Sequence, residues 1–259
     1  MRILVTNDDG VRAPGLAALV AEFEPYHDLT IVAPASEMSA VSHSLTIRRP
    51  LQCDPCLIGN LEAIAVHGTP VDCVKLALDQ FTADARPDCV VSGINQGPNT
   101  GINIFYSGTV AAAMEATLMG VPAIAVSLAS FSSKVFDIAA RVARHCAEMI
   151  HRQPLPPGVL LNVNVPSVPL SEIRGIRQTV QGAGRYRDSF IKRIDPAGNP
   201  YFWLTGNRID SPLSADEDDQ ALSEHFISVT PLRSTLNAHE HSLLDFNDAC
   251  PWLSRIAPV

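Results

Sequence analysis

The sequence predicts an α/β protein built on an open, mostly parallel sheet with helices on both faces. Three observations carry that expectation. Short apolar runs rich in β-branched residues alternate with stretches of helical period as far as about Pro166. The first strand–helix–strand unit closes by Pro34, the compass of one βαβ unit. The runs also end abruptly in Asn-, Asp- and Gly-rich turns, which in a parallel sheet lie at the carboxyl edge where ligands are held.

In chain order, Ile3–Thr6 reads as a buried strand stopped by Asn7-Asp8-Asp9-Gly10. Pro14–Phe23 is a helix with Leu16, Leu19, Val20 and Phe23 on one face and Pro14 in its first turn. Leu29–Ala33 is the second strand, and Pro34 stops it. A loop of small residues, Ala35–Ser44, follows at the same edge, and Leu45–Leu51 looks extended. Ala63–Val66 is a strand, and Thr69-Pro70 opens a helix over Val71 to about Phe81. Pro87–Ser92 is a strand that delivers the Gly/Asn-rich loop Gly93–Gly101. Tyr106-Ser107-Gly108-Thr109 opens the helix Val110–Met119. Val121–Leu128, Lys134–Ile150 and Val159–Val165 then read as strand, helix and strand.

The pattern changes after Pro166. Ile173–Gln181 is an expected strand, and the turn Asp195–Pro200 before Tyr201–Thr205 suggests a hairpin whose aromatic residues suit an oligomer contact. Asp210–Asp219 is acidic and loop-like, Phe226–Leu232 is a last strand, and Ser242–Ile256 is an expected helical region that Pro251 interrupts. Residues 1–166 are therefore expected to form the catalytic core, and residues 167–259 an extension that completes the same domain.

With 259 residues, 46% of them apolar and a net charge of −8, the chain suits a globular protein rather than a general nucleic-acid duplex or membrane binder. The apolar stretch Val110–Ala129 contains Glu115 and is broken by Gly120-Val121-Pro122, so it reads as helix plus strand rather than a membrane span. The N-terminus enters a strand directly, without a signal-peptide pattern, and a cytoplasmic location is expected. Six cysteines are scattered, and Cys53-Asp54-Pro55-Cys56 lacks the second pair that a structural zinc would need.

Function is sought at the carboxyl edge. Adjacent carboxylates at Asp8 and Asp9 repel each other, and a bound cation is the simplest remedy; a solvated Asp-Asp-Gly turn is the ordinary alternative. The Asp8-Asp9 turn, the Ser39 loop and the Asn95 loop share that edge. Their carboxylate, hydroxyl and amide oxygens suit a hard cation such as Mg²⁺, Mn²⁺ or Ca²⁺. The helix start at Ser107-Gly108-Thr109 can hold an oxyanion, or it is simply a capped helix. A hard cation beside an anion hole describes phosphoryl chemistry. His43 and His67 stand near enough in the chain to protonate a leaving alkoxide, although a loop histidine is more often a surface or packing residue. An aspartyl-nucleophile phosphatase would need Asp-x-Asp after the first strand, and a dinucleotide enzyme Gly-x-Gly-x-x-Gly. A non-catalytic metal- and nucleotide-binding module on the same fold stays open.

The motifs Asn7-Asp8-Asp9-Gly10, Pro34–Thr46 with Ser39, Gly68–Val74, Val91–Asn99, Tyr106–Glu115, Asn162–Pro166 and Ser228–Leu232 together resemble the SurE family of stationary-phase survival proteins. The resemblance implies a Rossmann-like core with a C-terminal extension exchanged between subunits of a homodimer, often paired into a homotetramer. It implies metal-dependent hydrolysis of nucleoside 5′- and 3′-monophosphates, with polyphosphate as a further substrate in some members. It implies that Asp8, Asp9, Ser39 and Asn95 bind Mg²⁺ or Mn²⁺. On this reading a metal-activated water attacks phosphorus, with Asp8, Asp9 and Asn95 as catalytic residues and Ser107, Gly108, Thr109 and Asn99 on the phosphate. The chain departs from the family pattern at Ala40, where Gly is usual, at Glu217, where Thr is usual, and across Arg185–Glu217.

Overall fold

The fold is described from a computed structural model, over residues 1–133, 135–209 and 214–236. Ile3, Leu4 and Val5 are all buried because their strand, β1 (Arg2–Thr6), lies mid-sheet with parallel neighbours on both sides. One neighbour is β2 (Asp28–Pro34), reached through helix α1 (Pro14–Phe23). Beyond β2 come β4 (Leu61–Val66), parallel to it, and the antiparallel edge strand β3 (Cys53–Ile58). The other neighbour of β1 is β5 (Cys89–Gln96), followed in parallel by β6 (Ala123–Ala129) and β7 (Val159–Pro166). Antiparallel β11 (Phe226–Arg233) and then β8 (Gly175–Gln178) complete a nine-stranded sheet in the order β3-β4-β2-β1-β5-β6-β7-β11-β8.

That order has a functional consequence. The chain leaves β1 toward β2 on one side, and later builds β5, β6 and β7 outward on the other. The strand order therefore reverses between β1 and β5, and the crevice beyond their carboxyl ends is where open α/β sheets bind ligands. Thr6 pairs with Ser92, so the two strands run level to the site.

Alternate side chains pack two cores. Ile3 and Val5 face α1 and α4 (Asp137–Arg152), while Leu4, Val90 and Ala123 face α2 (Pro70–Leu76) and α3 (Gly108–Leu118). Helices thus cover both faces, as the sequence predicts. α1 reaches β5 closely because of Gly15: a Cβ there would lie 2.0 Å from the carbonyl oxygen of Ile94.

Several expected elements shift. The stretch Leu45–Leu51 forms no strand, and the next strand is β3 instead, half-exposed and carrying Pro55, as an edge permits. In β3, Cys53 and Cys56 stand three positions apart and so point to opposite sheet faces, which excludes a shared metal. The helix from Val71 ends at Leu76 and passes into a π-turn over Ala77–Phe81. β5 does not stop at Ser92 but continues to Gln96 through an irregularity between Ser92 and Asn95, so Asn95 lies on the strand rather than in a free loop. The hairpin is longer than expected, with β9 (Arg185–Ile194) and β10 (Pro200–Ile209) forming a separate antiparallel pair. Asp218 opens a short helix, α5 (Asp218–Ser223), inside the stretch read as loop. The expected helical region Ser242–Ile256 lies outside the described residues.

Candidate active site

Asp8 leaves β1 and is only 4% exposed. Thr109 donates its hydroxyl hydrogen to Asp8 Oδ1, and the backbone of Gly108 and Thr109 at the helix start also favours the charged carboxylate. A Cβ at Gly108 would lie 2.8 Å from Asp8 Cβ and 3.0 Å from Oδ2, so the carboxylate fits against the helix start because that residue is glycine. Burial raises the Asp8 pKa, against the lowering effect of those hydrogen bonds. The Asp8 carbonyl accepts from Met38 N at 2.7 Å, which draws the loop after β2 against the turn.

Asp9 is half-buried and faces an open cavity of about 440 Å³, together with Ser39 and Asn95. Glu37, Gln96, Phe131 and Phe136 also line it. Burial, then the neighbouring charge of Asp8, pushes the Asp9 carboxyl up to about 6; Glu37 adds to that rise and the Gln96 N–H, 3.4 Å from Asp9 Oδ2, opposes it. The structure thus gathers Asp9, Ser39 and Asn95 around one cavity, with Asp8 buried against α3 rather than lining it.

The donor set fits a hard cation. Ser39 Oγ donates to Glu37 Oε1 at 2.6 Å, which leaves its lone pairs as the available feature. Asn95 Nδ2 donates to the Gly97 carbonyl at 2.7 Å, which leaves the amide oxygen for a ligand. Two crowded carboxylates with raised pKa values, a hydroxyl oxygen and an amide oxygen make an oxygen set of the kind that suits a hard divalent cation. Among the described residues no group of three or more His, Cys, Asp or Glu side chains is placed to hold a metal, so a cation here must draw on those neutral oxygens as well.

The other sequence-predicted residues are more engaged than their motifs suggest. Ser107 caps α3, its Oγ accepting from Val110 N at 3.1 Å. The helix start read as an anion cradle is addressed by Asp8 itself. Asn99 is buried: its Nδ2 donates to Ser127 Oγ at 2.9 Å, and its carbonyl accepts from Asn162 and Asn164 at 2.8 and 3.2 Å. Asn99 thereby ties the loop after β5 to β6 and β7. His43 pairs with Glu115 at 2.7 Å, and Lys75 pairs with the same carboxylate at 2.6 Å. His67 pairs with Asp54 on the edge strand at 2.8 Å.

Sequence reasoning missed Glu37, Gln96 and Phe131. Glu37 carried a signal, as a carboxylate two residues from Ser39. Phe131 carried none, because its loop is distant in the chain and meets the cavity only through the β5–β6 pairing.

Residues 3–188 match the family described as survival protein SurE. The chain belongs to the SurE family. A protein named 5′-nucleotidase SurE from Thermosynechococcus vestitus is 43% identical over 267 residues, covering 100% of this chain and 99% of its own length. Another of the same name, from Gloeobacter violaceus, is 47% identical over 91% of each chain. The SurE protein of Aquifex aeolicus, known from a crystal structure, superposes with a TM-score of 0.82 at 33% identity, covering 98% of this chain and all of that one. As a SurE protein the chain keeps a mostly parallel sheet with helices on both faces and an added C-terminal hairpin. No helix among the described residues is long and apolar enough to cross a membrane.

Proposed function

We propose that this chain is a divalent-metal-dependent nucleotidase that releases phosphate from nucleoside 5′- and 3′-monophosphates. Kinship to proteins named 5′-nucleotidase SurE supports the reaction class. The observation that carries the metal-dependent reading is the convergence of Asp9, Ser39 and Asn95 on one cavity at the sheet's switch point, beside buried Asp8, with the Ser39 hydroxyl hydrogen given to Glu37 and the Asn95 amide nitrogen turned to Gly97.

Asp8, Asp9, Ser39 and Asn95 would hold Mg²⁺ or Mn²⁺, which when bound polarises a phosphate oxygen and lowers the pKa of water. Asp8 is fixed by Thr109 and the start of α3, which would hold its carboxylate in one orientation for the cation. Asp9 is less buried and has one oxygen, Oδ2, on Gln96 N; Oδ1 is the atom assigned to take the proton from the attacking water. Asn95 and Ser39 would complete the oxygen set that holds the cation. Ser107, Gly108, Thr109 and Asn99 do not line that cavity; in this reading they support it from behind, through the contact of the α3 start with Asp8 and the hydrogen bonds of Asn99 to β6 and β7.

Polyphosphate is a further substrate in this reading, and a cytoplasmic location is part of it. The exposed apolar side chains of the hairpin support a homodimer or homotetramer built through that element.

The test is phosphate release from a panel of 5′- and 3′-nucleoside monophosphates, with metal-stripped protein and then with Mg²⁺ or Mn²⁺ restored. Release only after metal is restored is expected. Equal release without metal overturns the metal-dependent mechanism, and nucleotide binding without release under either metal overturns the enzymatic reading.

A further inference from the structure

We propose that Phe131 is the stacking platform for the nucleobase, so that the cavity binds a nucleotide by its two ends. The proposal rests on the nucleotidase reading and names the subsite it lacks.

Phe131 is 79% exposed, an unusual position for a phenylalanine unless something else covers it. It is nevertheless held in place. Gln96 Nε2 donates to the carbonyls of Phe131 at 2.8 Å and Ser133 at 3.3 Å. The ring lies on Gly97, where a Cβ would be 2.3 Å from Cε1 and 2.8 Å from Cδ1. Ser130 Oγ accepts from Ser133 N at 3.0 Å and fixes the turn beneath. One part of the ring is therefore seated on backbone while most of it faces solvent.

The seat lies beside the metal set. Phe131 lines the same cavity as Asp9, Ser39 and Asn95, and the only other aromatic lining it among the described residues, Phe136, is buried at 3% exposure and belongs to the core. Gly97, the seat of the ring, follows Asn95 by two residues and accepts a hydrogen bond from its side chain, so the aromatic seat and the proposed metal set adjoin on one wall of the cavity. Gln96 links the ends physically: its N–H meets Asp9, and its side-chain amide holds the Phe131 loop.

A stacked base is recognised by its π-face, without hydrogen-bond readout, and such contacts are sequence-tolerant. The aromatic seat therefore predicts broad base tolerance with purines favoured over pyrimidines, because the larger ring system covers more of the phenyl face.

The experiment compares Phe131→Ala, Phe131→Leu and Phe131→Trp with the natural protein, in the presence of Mn²⁺. The substrates are adenosine 5′-monophosphate, uridine 5′-monophosphate and ribose 5-phosphate, which lacks a base. Stacking of about 1–3 kcal/mol per base corresponds to a five-fold or greater change, so KM for adenosine monophosphate is expected to rise about tenfold in Phe131→Ala and Phe131→Leu, with kcat retained. Phe131→Trp should restore or lower KM, the uridine nucleotide should respond less, and ribose 5-phosphate should not respond. An equal loss on ribose 5-phosphate means that Phe131 only holds its loop and overturns the proposal. So does an unchanged KM for adenosine monophosphate. No release from any nucleotide by the natural protein overturns the nucleotidase reading itself, and this proposal with it.

Discussion

Asp9 stands where two effects oppose each other. Without a cation its charge is disfavoured by burial and by Asp8, and its carboxyl rises to about 6. Removing the charge should therefore help the bare protein while harming catalysis. Asp9→Asn is expected to keep or raise the melting temperature of metal-free protein, to abolish the melting shift that Mn²⁺ produces, and to lower turnover by about 100-fold or more. Full activity in the folded variant would refute the assignment. Ala40 is a second case. The sequence marks it as a departure from glycine, and the backbone there has φ +55°, in the left-handed region that an L-residue enters at a cost of about 1–2 kcal/mol. Ala40→Gly should relieve that strain, less the entropy that glycine adds to the unfolded chain, and stabilise the protein by up to about 1 kcal/mol in urea unfolding. The residue beside it, Ser39, should then keep its activity role unchanged. These side chains were legible from the sequence because chemistry and spacing advertise them. Phe131 was not, since an isolated aromatic in a serine-rich loop has no pattern until β6 is seen to lie next to β5.

Helix α3 does two jobs at opposite ends of its buried face. Its start holds Asp8; its middle carries Glu115, which is 4% exposed and pairs with His43 from the Ser39 loop and with Lys75 from α2. Burial pulls the Glu115 carboxyl up, but the hydrogen bonds and charges of Lys75 and His43 outweigh it, and the group sits below its ordinary value of 4.5. A depressed folded pKa gives stability that is present above the unfolded value and is lost as pH falls through the folded one. The natural protein should thus lose more stability than Glu115→Gln when pH falls from 6 to 3. At pH 7 the variant should be less stable by about 1–2 kcal/mol, the partners being partly exposed. Parallel pH profiles would show that Glu115 is not the group responsible. Gly108→Ala tests the other end. The added Cβ collides with Asp8, and overpacking of this kind costs about 1–3 kcal/mol; activity should fall with stability because the displaced group is a proposed metal ligand. The sequence announced this helix and its cap, yet not that its N-terminus is turned toward a carboxylate of its own chain. That contact joins residues about a hundred positions apart, which local propensity cannot encode.

At the scale of the whole molecule, the parallel core was legible because buried parallel strands are continuous apolar runs, and Ile3–Thr6 and Val159–Val165 read that way without ambiguity. Less visible was β3, exposed along much of its length and carrying Pro55, while β8 was read as a strand over Ile173–Gln181 and is shorter, Gly175–Gln178. The hairpin lies between these cases. Its turn was evident, but its length was not, because apolar residues occupy both of its faces rather than one. Cross-strand pairing puts Phe190 with Leu204 and Ile191 with Trp203 on successive positions, hence on opposite faces, and all four are about half exposed or more. A two-stranded hairpin is marginally stable alone in water, and one with both faces apolar has nothing within this chain's nine-stranded sheet to pair with. In the proposed homodimer or homotetramer, a second copy of the chain would supply both requirements at once. Replacing Trp203 and Leu204 together by serine should therefore lower the mass measured by light scattering by at least half, while far-ultraviolet circular dichroism retains the signal of the parallel core. An unchanged mass in the folded variant would remove the hairpin from the assembly and leave its apolar faces to another partner.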